Sequence, residues 1–325
     1  MTVLQRAEDI SQSRRIAALV FLLIGYFFYA WSWNTVDILR PYIKEDLGLT
    51  LTQSGSLYTM QAIGAIIGAV LHSHRLLLQS AAQQLQQMHL RQQALIAQTQ
   101  TLLRLQVHGQ KPESTFDLTQ EWARVLEYEV DGIQVRVSVE DLAGRFNLNR
   151  LLIKGQVDQV TLTRWSRLLE LLQLPALQLE QTGALKELSQ LRLLPGFDAG
   201  LLRELEPWVA LLPKEAALNI NTAPEQVLRA IDGLEATTLA ALLRQRASAP
   251  WPSVQAFTRD PLLAGLGVSS HGLGVGSRWL QITIEVNQGQ RGLRLVTEVE
   301  RDAKTHQLKI LQRRLLPAIN HEINP

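Results

Sequence analysis

Apolar residues are continuous in the first part of the chain and periodic in the rest. Residues 16–36 form an apolar run without a charged residue, and it meets the roughly 20 residues that a helix needs to cross a bilayer. Arg14 and Arg15 precede it and predict a cytoplasmic N-terminus. A second apolar run at 55–71 is shorter and contains Gln61. We therefore predict one transmembrane helix over 16–36 and a marginal second candidate.

The pattern changes to that of a polar helix after the second run. Residues 74–106 contain no glycine or proline and are rich in Leu, Gln and Ala, with apolar residues at a loose helical spacing. This pattern is typical of an amphipathic helix. We predict that it covers one face of a sheet.

Strand patterns occur in two separate places. Residues 133–139 alternate strictly between apolar and polar, which is typical of a strand with one buried face. Three further strand patterns lie near the C-terminus, at 279–286, 293–301 and 308–315, with NQGQRG and DAKTH as hairpin turns. The intervening stretch has helical patterns over 163–172, 185–193, 200–212 and 218–246. A sheet interrupted in this way indicates an α+β fold that carries a helical insertion.

The most strongly specified part of the insertion is the two-helix unit at 218–246. Thr222 precedes Glu225 by three residues, which is the spacing of a capping box. The other specifying residues are short polar side chains before the helix, a proline in its first turn and a glycine at its end: Asn219, Asn221, Pro224 and Gly233.

Two short motifs of this insertion occur twice. FNLN, with Asn147 and Asn149, matches LNIN at 218–221, and PGFD, with Gly196, matches DGLE at 232–235. The repetition predicts two related helical modules, each with an Asn-rich start, a helix, an acidic turn and a second helix.

Paired helices of this kind have two common uses. One is a helix-hairpin-helix, in which bare backbone N–H groups of a G-h-G turn grip nucleic-acid phosphates. The other is a packing module without chemistry. Here Asp198 and Glu235 occupy the place of the second glycine, and a carboxylate there would repel a phosphate. The sequence therefore favours packing over nucleic-acid binding, which stays as an alternative.

The composition excludes some classes of function but does not assign one. The chain has 325 residues, 46% hydrophobic, with a net charge of +2, which is too balanced to indicate a nucleic-acid partner. There is no cysteine, so disulfides and thiol catalysis are excluded. No common catalytic motif occurs, and we expect no enzymatic activity. The glycine-rich stretch at 265–276 lacks the strand, helix and lysine of a phosphate loop, and we interpret it as a flexible connector.

Residues 15–71 resemble the opening of a major facilitator superfamily transporter. The resemblance lies in WSWNTVDILRPYIKEDLGLT and QSGSLYTMQAIGAIIGAV. In that family Asp37 would lie near the end of the first helix and could contribute to proton coupling. Two apolar runs cannot enclose a transport path, so a truncated transporter is an alternative and a membrane anchor the preferred interpretation.

A second resemblance covers about three quarters of the chain. VEDLAGRFNLNRL (139–151), LLPGFDAGLLRELEPWVALLP (193–213) and LNINTAPEQVLRAI (218–231) are similar to the K-type minor pseudopilins of the type II secretion system, also called general secretion pathway protein K. The resemblance implies a pilin-like long helix on an antiparallel sheet, with a helical insertion of two sterile-alpha-motif-like parts. It also implies a non-enzymatic role at the tip of the pseudopilus, in contact with the I- and J-type minor pseudopilins.

The same resemblance suggests a domain plan and a possible metal. The expected divisions are a transporter-like anchor, a pilin-like helix with the first strand, the helical insertion, the terminal strands and a tail, at 1–72, 73–146, 147–277, 278–317 and 318–325. The first of these departs from the family pattern. Glu298, Glu300 and Asp302 alternate along one strand face and enter a turn, so their carboxylates are calcium candidates, with a solvated strand face as the preferred alternative. The resemblance adds that family members bind calcium in the pilin domain, without identifying the ligands in this chain. The expected location is the inner membrane, crossed once, with a periplasmic body.

Overall fold

The computed structural model describes most of the chain beyond the first apolar run. The described residues are 23, 34–35, 38–108, 115–153, 156–177, 179, 185, 187–194, 196–231 and 234–317. The chain divides into two units, residues 1–84 and residues 85–325. The first predicted transmembrane run, 16–36, lies outside the described residues except at three positions.

The long helix begins earlier than predicted. Helix α1 covers Leu51–His108 and joins the second apolar run to the polar stretch without a break. It begins at a capping box, because the Thr50 hydroxyl accepts the backbone N–H of Gln53 and the Gln53 side chain accepts that of Thr50. Within the described residues, Ala62–Val107 is long and apolar enough to cross a membrane by length and composition.

The second unit contains a five-stranded antiparallel sheet. The strands are β1 (Leu126–Val130), β2 (Ile133–Asp141), β9 (Trp279–Gln288), β10 (Arg291–Arg301) and β11 (Leu308–Pro317), in the spatial order β1-β2-β9-β10-β11. The four predicted strands and both predicted hairpins are confirmed. The structure adds β1, which pairs with β2 across an Asp131-Gly132 turn in which both residues have positive φ.

The C-terminal part of α1 packs on one face of this sheet. Small and branched residues of the helix, Leu90, Ala94, Ala97 and Leu105, are buried against alternating strand residues, including Ile133, Val135, Val137, Ile282, Ile284 and Leu295. A buried hydrogen bond from Gln98 to Thr297 also joins the helix to the sheet. The predicted α+β class, with a long helix on an antiparallel sheet, is confirmed.

The helical insertion lies between β2 and β9 and has its own core. Its elements are β3 (Phe146–Asn147), β4 (Leu152–Ile153), β5 (Gln156–Val157), α2 (Gln159–Leu171), α3 (Ala199–Leu205), β6 (Val209–Ala210), β7 (Leu218–Asn219), α4 (Glu225–Arg229), α5 (Ala236–Ser248), α6 (Val254–Thr258) and β8 (Leu273–Gly274). The core is centred on Trp165, Leu168, Leu205, Ile220 and Phe257.

Three predicted helices of the insertion have different bounds. The pattern at 163–172 belongs to α2, which begins earlier because Asp158 caps it. The pattern at 185–193 is a short 3₁₀ helix over Leu188–Leu193. In the pattern at 200–212, helix α3 ends at Leu205, since Pro207 has no backbone N–H with which to continue the helix and the chain then enters β6.

Candidate functional site

A buried carboxylate joins the sheet to the insertion. Asp141, the last residue of β2, accepts hydrogen bonds from the Ala143 backbone N–H at 2.8 Å, the Asn219 side-chain amide at 2.8 Å and the Thr222 hydroxyl at 2.6 Å. Asn219 donates a second bond to the carbonyl of Phe116, 2.8 Å away. One carboxylate and one amide therefore fasten the sheet, the segment after α1 and the two-helix unit together.

The electrostatics of Asp141 are those of a structural group. Burial raises the pKa of its carboxyl group, while hydrogen bonds from Ser277, Thr222, Asn219 and Ala143 act in the opposite direction. Every one of these partners donates to it. An array made only of donors holds the carboxylate in place.

The predicted capping box at Thr222 and Glu225 is wrong. Helix α4 begins at Glu225 with Pro224 as its N-cap residue and has no side-chain cap. Thr222 therefore lies two residues before the N-cap position, and its hydroxyl donates to the Asp141 carboxylate at 2.6 Å. Close packing keeps this contact tight, since a Cβ atom added to Gly144 would lie 2.8 Å from the Thr222 hydroxyl oxygen.

The Asn residues of the LNIN motif join two segments of the insertion. We call the arrangement, in which one Asn amide bonds both backbone groups of a distant residue, an Asn bracket. The Asn219 side-chain oxygen accepts the Asn221 backbone N–H at 3.1 Å. Asn221 then bonds both backbone groups of Trp251, donating to its carbonyl at 2.9 Å and accepting its N–H at 3.0 Å. Both asparagines are fully buried.

The Asn residues of FNLN make the same kind of bracket. The Asn147 oxygen accepts the Asn149 backbone N–H at 3.1 Å. Asn149 bonds both backbone groups of Leu185, at 3.2 Å and 3.0 Å. Each motif also starts a short parallel strand pair, β3 with β6 and β7 with β8. The two Asn motifs are therefore equivalent in structure as well as in sequence.

The two acidic turns are not equivalent. PGFD comes after Leu185, the hydrogen-bond partner of Asn149, in the sequence. DGLE comes before Trp251, the hydrogen-bond partner of Asn221. Gly196 has a positive φ of 76°, and Asp198 caps α3 by accepting two backbone N–H groups, at 2.7 and 2.9 Å. Gly233 lies outside the described residues. The Asp198 carboxylate thus takes the backbone donors that a phosphate would need.

The glycine-rich stretch is fastened rather than free, which corrects the expectation of a flexible connector. The Arg164 guanidinium donates to the carbonyls of His271 at 2.6 Å and Ser269 at 3.0 Å. The His271 ring contacts the Asp158 carboxylate at 2.5 Å. Residues 273 and 274 pair with β7. These contacts return the chain from the insertion to β9 along a fixed path.

The three calcium candidates bond elsewhere. Glu298 pairs with Arg314 at 3.2 Å, and Glu300 pairs with Arg278 at 2.7 Å. Asp302 accepts the backbone N–H groups of Lys304 and Thr305 within its own turn. These residues do not fit a calcium site in this arrangement. In the described part of the chain, no three acidic or histidine side chains are grouped so as to hold a metal.

The face of α1 opposite the sheet carries several large apolar side chains among polar ones such as Gln92 and Thr99. Large side chains there are between 41% and 67% exposed: Leu85, Met88, Ile96, Leu103 and Val107. Leu85 and Leu103 are 18 residues, or five helical turns, apart, so they lie on the same side of the helix. We call these five residues the α1 stripe.

The sequence interpretation missed the half-buried arginines Arg150 and Arg246 and the buried Asp141. Arg246 donates to the carbonyls of Ile220 and Ala223, and Arg150 donates to those of Lys214 and Ala216. Charged residues within apolar helical patterns were a signal for such clamps. The signal for Asp141 was weaker. It lies within the VEDLAG motif, where apolar residues follow it at the end of a strand that otherwise alternates.

Comparisons with known proteins agree on one family. Residues 218–276 match the family model "Type II secretion system (T2SS), protein K". A curated relative, type II secretion system protein K of Pseudomonas aeruginosa, is 27% identical over 235 residues, which are 60% of this chain and 70% of the relative. A chain of the crystal structure of the GspK-GspI-GspJ complex from the enterotoxigenic Escherichia coli type 2 secretion system has the same fold. Its TM-score is 0.59 at 21% identity, and the alignment covers 70% of this chain and 97% of that one. Residues 218–276 therefore match the type II secretion system protein K family model, and the chain is similar in sequence to one protein K and in fold to a chain of the GspK-GspI-GspJ complex.

Proposed function

We propose that this chain is a K-type minor pseudopilin, which acts in type II secretion by assembling with the I- and J-type minor pseudopilins at the tip of the pseudopilus. The role is structural and not enzymatic. The match over residues 218–276, the curated relative and the fold of the GspK-GspI-GspJ complex support it.

The observation that carries the proposal is the α1 stripe. One face of α1 is buried on the sheet by Leu90, Ala94 and Leu105, and the opposite face exposes the five large apolar side chains of the stripe. A row of exposed apolar side chains opposite a buried face favours a second partner, because a soluble helix ordinarily has a polar outer face. A long helix of another subunit fits a straight stripe of this kind through ridges-into-grooves packing.

The test is co-purification with the I- and J-type minor pseudopilins of the same secretion system. The full-length protein should be retained by the tagged partners in uncharged detergent. The double variant Ile96→Glu/Leu103→Glu should lose at least tenfold of this retention, because two carboxylates would be buried without partners. Arg91→Glu is the matched control, since it changes the net charge by the same two units on a different exposed face. Retention of the double variant at the level of the control would refute the proposal.

The location is part of the same proposal. We propose that the protein is anchored in the inner membrane by one apolar segment, with the second unit in the periplasm. The resemblance of residues 15–71 to a transporter remains an interpretation of the sequence, and no step of the proposed function depends on it.

Calcium remains a hypothesis that rests on the resemblance. An ion at the candidate residues would have to displace Arg314 from Glu298 and Arg278 from Glu300. If calcium binds only the folded protein, saturating calcium will raise the melting temperature. An unchanged melting temperature with millimolar calcium would remove the hypothesis.

A further inference from the structure

The sheet face that α1 does not cover forms a groove with the insertion. The groove has a volume of about 450 Å³. Its floor is the outer face of β2, β9, β10 and β11, and its wall comes from the segment after β2 and from the end of α3. We call it the arginine groove because five guanidinium groups line it: Arg136, Arg145, Arg203, Arg294 and Arg314.

The positive charge of the groove is only partly compensated. Three carboxylates line it with the five arginines: Glu140, Glu206 and Glu285. Arg145 pairs with Glu140, and Arg314 lies 3.9 Å from Glu206. Two positive charges are therefore in excess within the lining, and Glu298 beside it offsets one of them by pairing with Arg314 at 3.2 Å.

Two of the arginines carry most of this excess. Neither Arg203 nor Arg294 has an ion-pair partner among the described residues. The Nε atom of Arg294 is buried without a hydrogen-bond partner. Arg136 is paired only with the exposed Glu127, at 3.4 Å, and such a surface pair is weak.

The floor of the groove suits a peptide better than a polyphosphate chain. Arg136 and Arg294 lie on either side of Glu285 in the register of β2, β9 and β10. The central carboxylate would repel a continuous line of phosphates, whereas acidic side chains spaced along a peptide can straddle it. Ser138, Thr283 and Gln281 supply neutral groups that can bond a peptide backbone.

We propose that the arginine groove binds an acidic segment of another protein, with carboxylates held by Arg203 and Arg294. Guanidinium groups recognise carboxylates through paired, charge-assisted hydrogen bonds. The groove lies on the sheet face opposite α1, so this contact is independent of the α1 stripe and goes beyond the proposed pseudopilus assembly.

The test uses the full-length protein in uncharged detergent and a fluorescein-labelled hexaglutamate peptide, with binding followed by fluorescence anisotropy. We expect saturable binding at low salt that weakens as salt is added. The variant Arg203→Gln/Arg294→Gln should bind at least tenfold more weakly. The matched control Arg229→Gln/Arg244→Gln removes two exposed arginines elsewhere and should bind like the unmodified protein. Equal affinity of the two double variants would overturn the proposal.

Two further measurements keep the test decisive. Glu285→Gln should tighten peptide binding several-fold, an effect that misfolding cannot produce, and an unchanged or weaker affinity would count against the groove. Inorganic phosphate should displace the peptide only at concentrations expected from general screening. Displacement by phosphate at concentrations comparable to those of unlabelled peptide would identify a small-anion site and overturn the assignment to a protein segment.

Discussion

At the residue scale, the contact between the sheet and the insertion depends on very small groups. Asp141, Asn219 and Thr222 meet in a buried space that Gly144 leaves open. Each of these groups needs its hydrogen-bond partner, because a buried donor or acceptor without a partner costs free energy. The VEDLAG and LNINTAP motifs are therefore two halves of one joint.

Gly144→Ala should destabilise the protein. The added methyl group would lie 2.8 Å from the Thr222 hydroxyl and 3.0 Å from its backbone, so the joint must shift. Overpacking of this kind costs about 1–3 kcal/mol. Urea unfolding of the full-length protein in detergent measures the change. Gly276→Ala is the control, since a Cβ atom there meets nothing within 4 Å. Equal stability of the two variants would show that the joint is loosely packed.

Asp158 should give a pH-dependent contribution to stability. Burial raises the pKa of its carboxyl group, but the Thr161 backbone N–H and His271 more than offset this, and the pKa lies below its ordinary value. A lowered folded-state pKa stabilises the fold above the unfolded-state pKa of about 3.9, and the stabilisation is lost as the pH falls through the folded-state value.

The comparison with Asp158→Asn isolates this charge. Asn can still cap α2, so the variant mainly removes the negative charge that contacts the His271 ring. At pH 7 the variant should be less stable by about 1 kcal/mol. The difference should shrink as the pH is lowered below about 4. A difference that stays constant down to pH 3 would contradict the assigned cause.

At the element scale, sequence patterns predicted the elements whose two faces differ. Strands β2 and β9 bury every second residue over most of their length, so alternation marked them. Strand β1 was missed because its central residues are all exposed, although its Asp131-Gly132 turn is a strong hairpin signal. The start of α4 could not be predicted, because the partner of Thr222 comes from Asp141, far away in the sequence.

The two Asn brackets should differ in their contribution to stability. Asn221→Ala would leave both backbone groups of Trp251 buried and without their partners, at a cost of about 2–4 kcal/mol. Asn149→Ala acts in a less buried place, and water can replace part of the bracket around Leu185, so we expect about 1 kcal/mol. Urea unfolding of the two variants provides the comparison. A larger loss for Asn149→Ala would contradict the burial argument.

At the scale of the whole molecule, the second unit offers two different surfaces on opposite faces of its sheet. The α1 stripe is apolar and straight, and the arginine groove is polar and positively charged. Apolar stripes suit permanent subunit contacts, whereas charged grooves suit contacts that salt can weaken. The sequence predicted α1 and the strands that carry these surfaces. It could not predict the groove, because the five arginines come from four different elements and a connecting segment.

The number of membrane crossings decides which side of the membrane the second unit occupies. If one apolar segment crosses and the N-terminus is cytoplasmic, the second unit is periplasmic, where a pseudopilus tip can assemble. If both the run at 16–36 and the apolar part of α1 cross, the second unit returns to the cytoplasm. Alkaline phosphatase is active only after export, and fusion of it after Pro317 should therefore give an active enzyme. A fluorescent protein that matures only in the cytoplasm, fused at the same place, should stay dark. An inactive phosphatase together with a bright fluorescent protein would refute the periplasmic location.

A deletion of residues 16–36 then identifies the crossing segment. If that run is the span, the phosphatase fused to the shortened chain should be inactive, because the second apolar run, at 55–71, is short and carries Gln61. If the phosphatase stays active, α1 itself crosses, which its candidate span over Ala62–Val107 allows by length and composition. In that case the helix that presents the α1 stripe to its partners would also be the membrane anchor. Extraction from the bilayer and assembly through the stripe would then be steps of one helix, and variants in its apolar half should impair both.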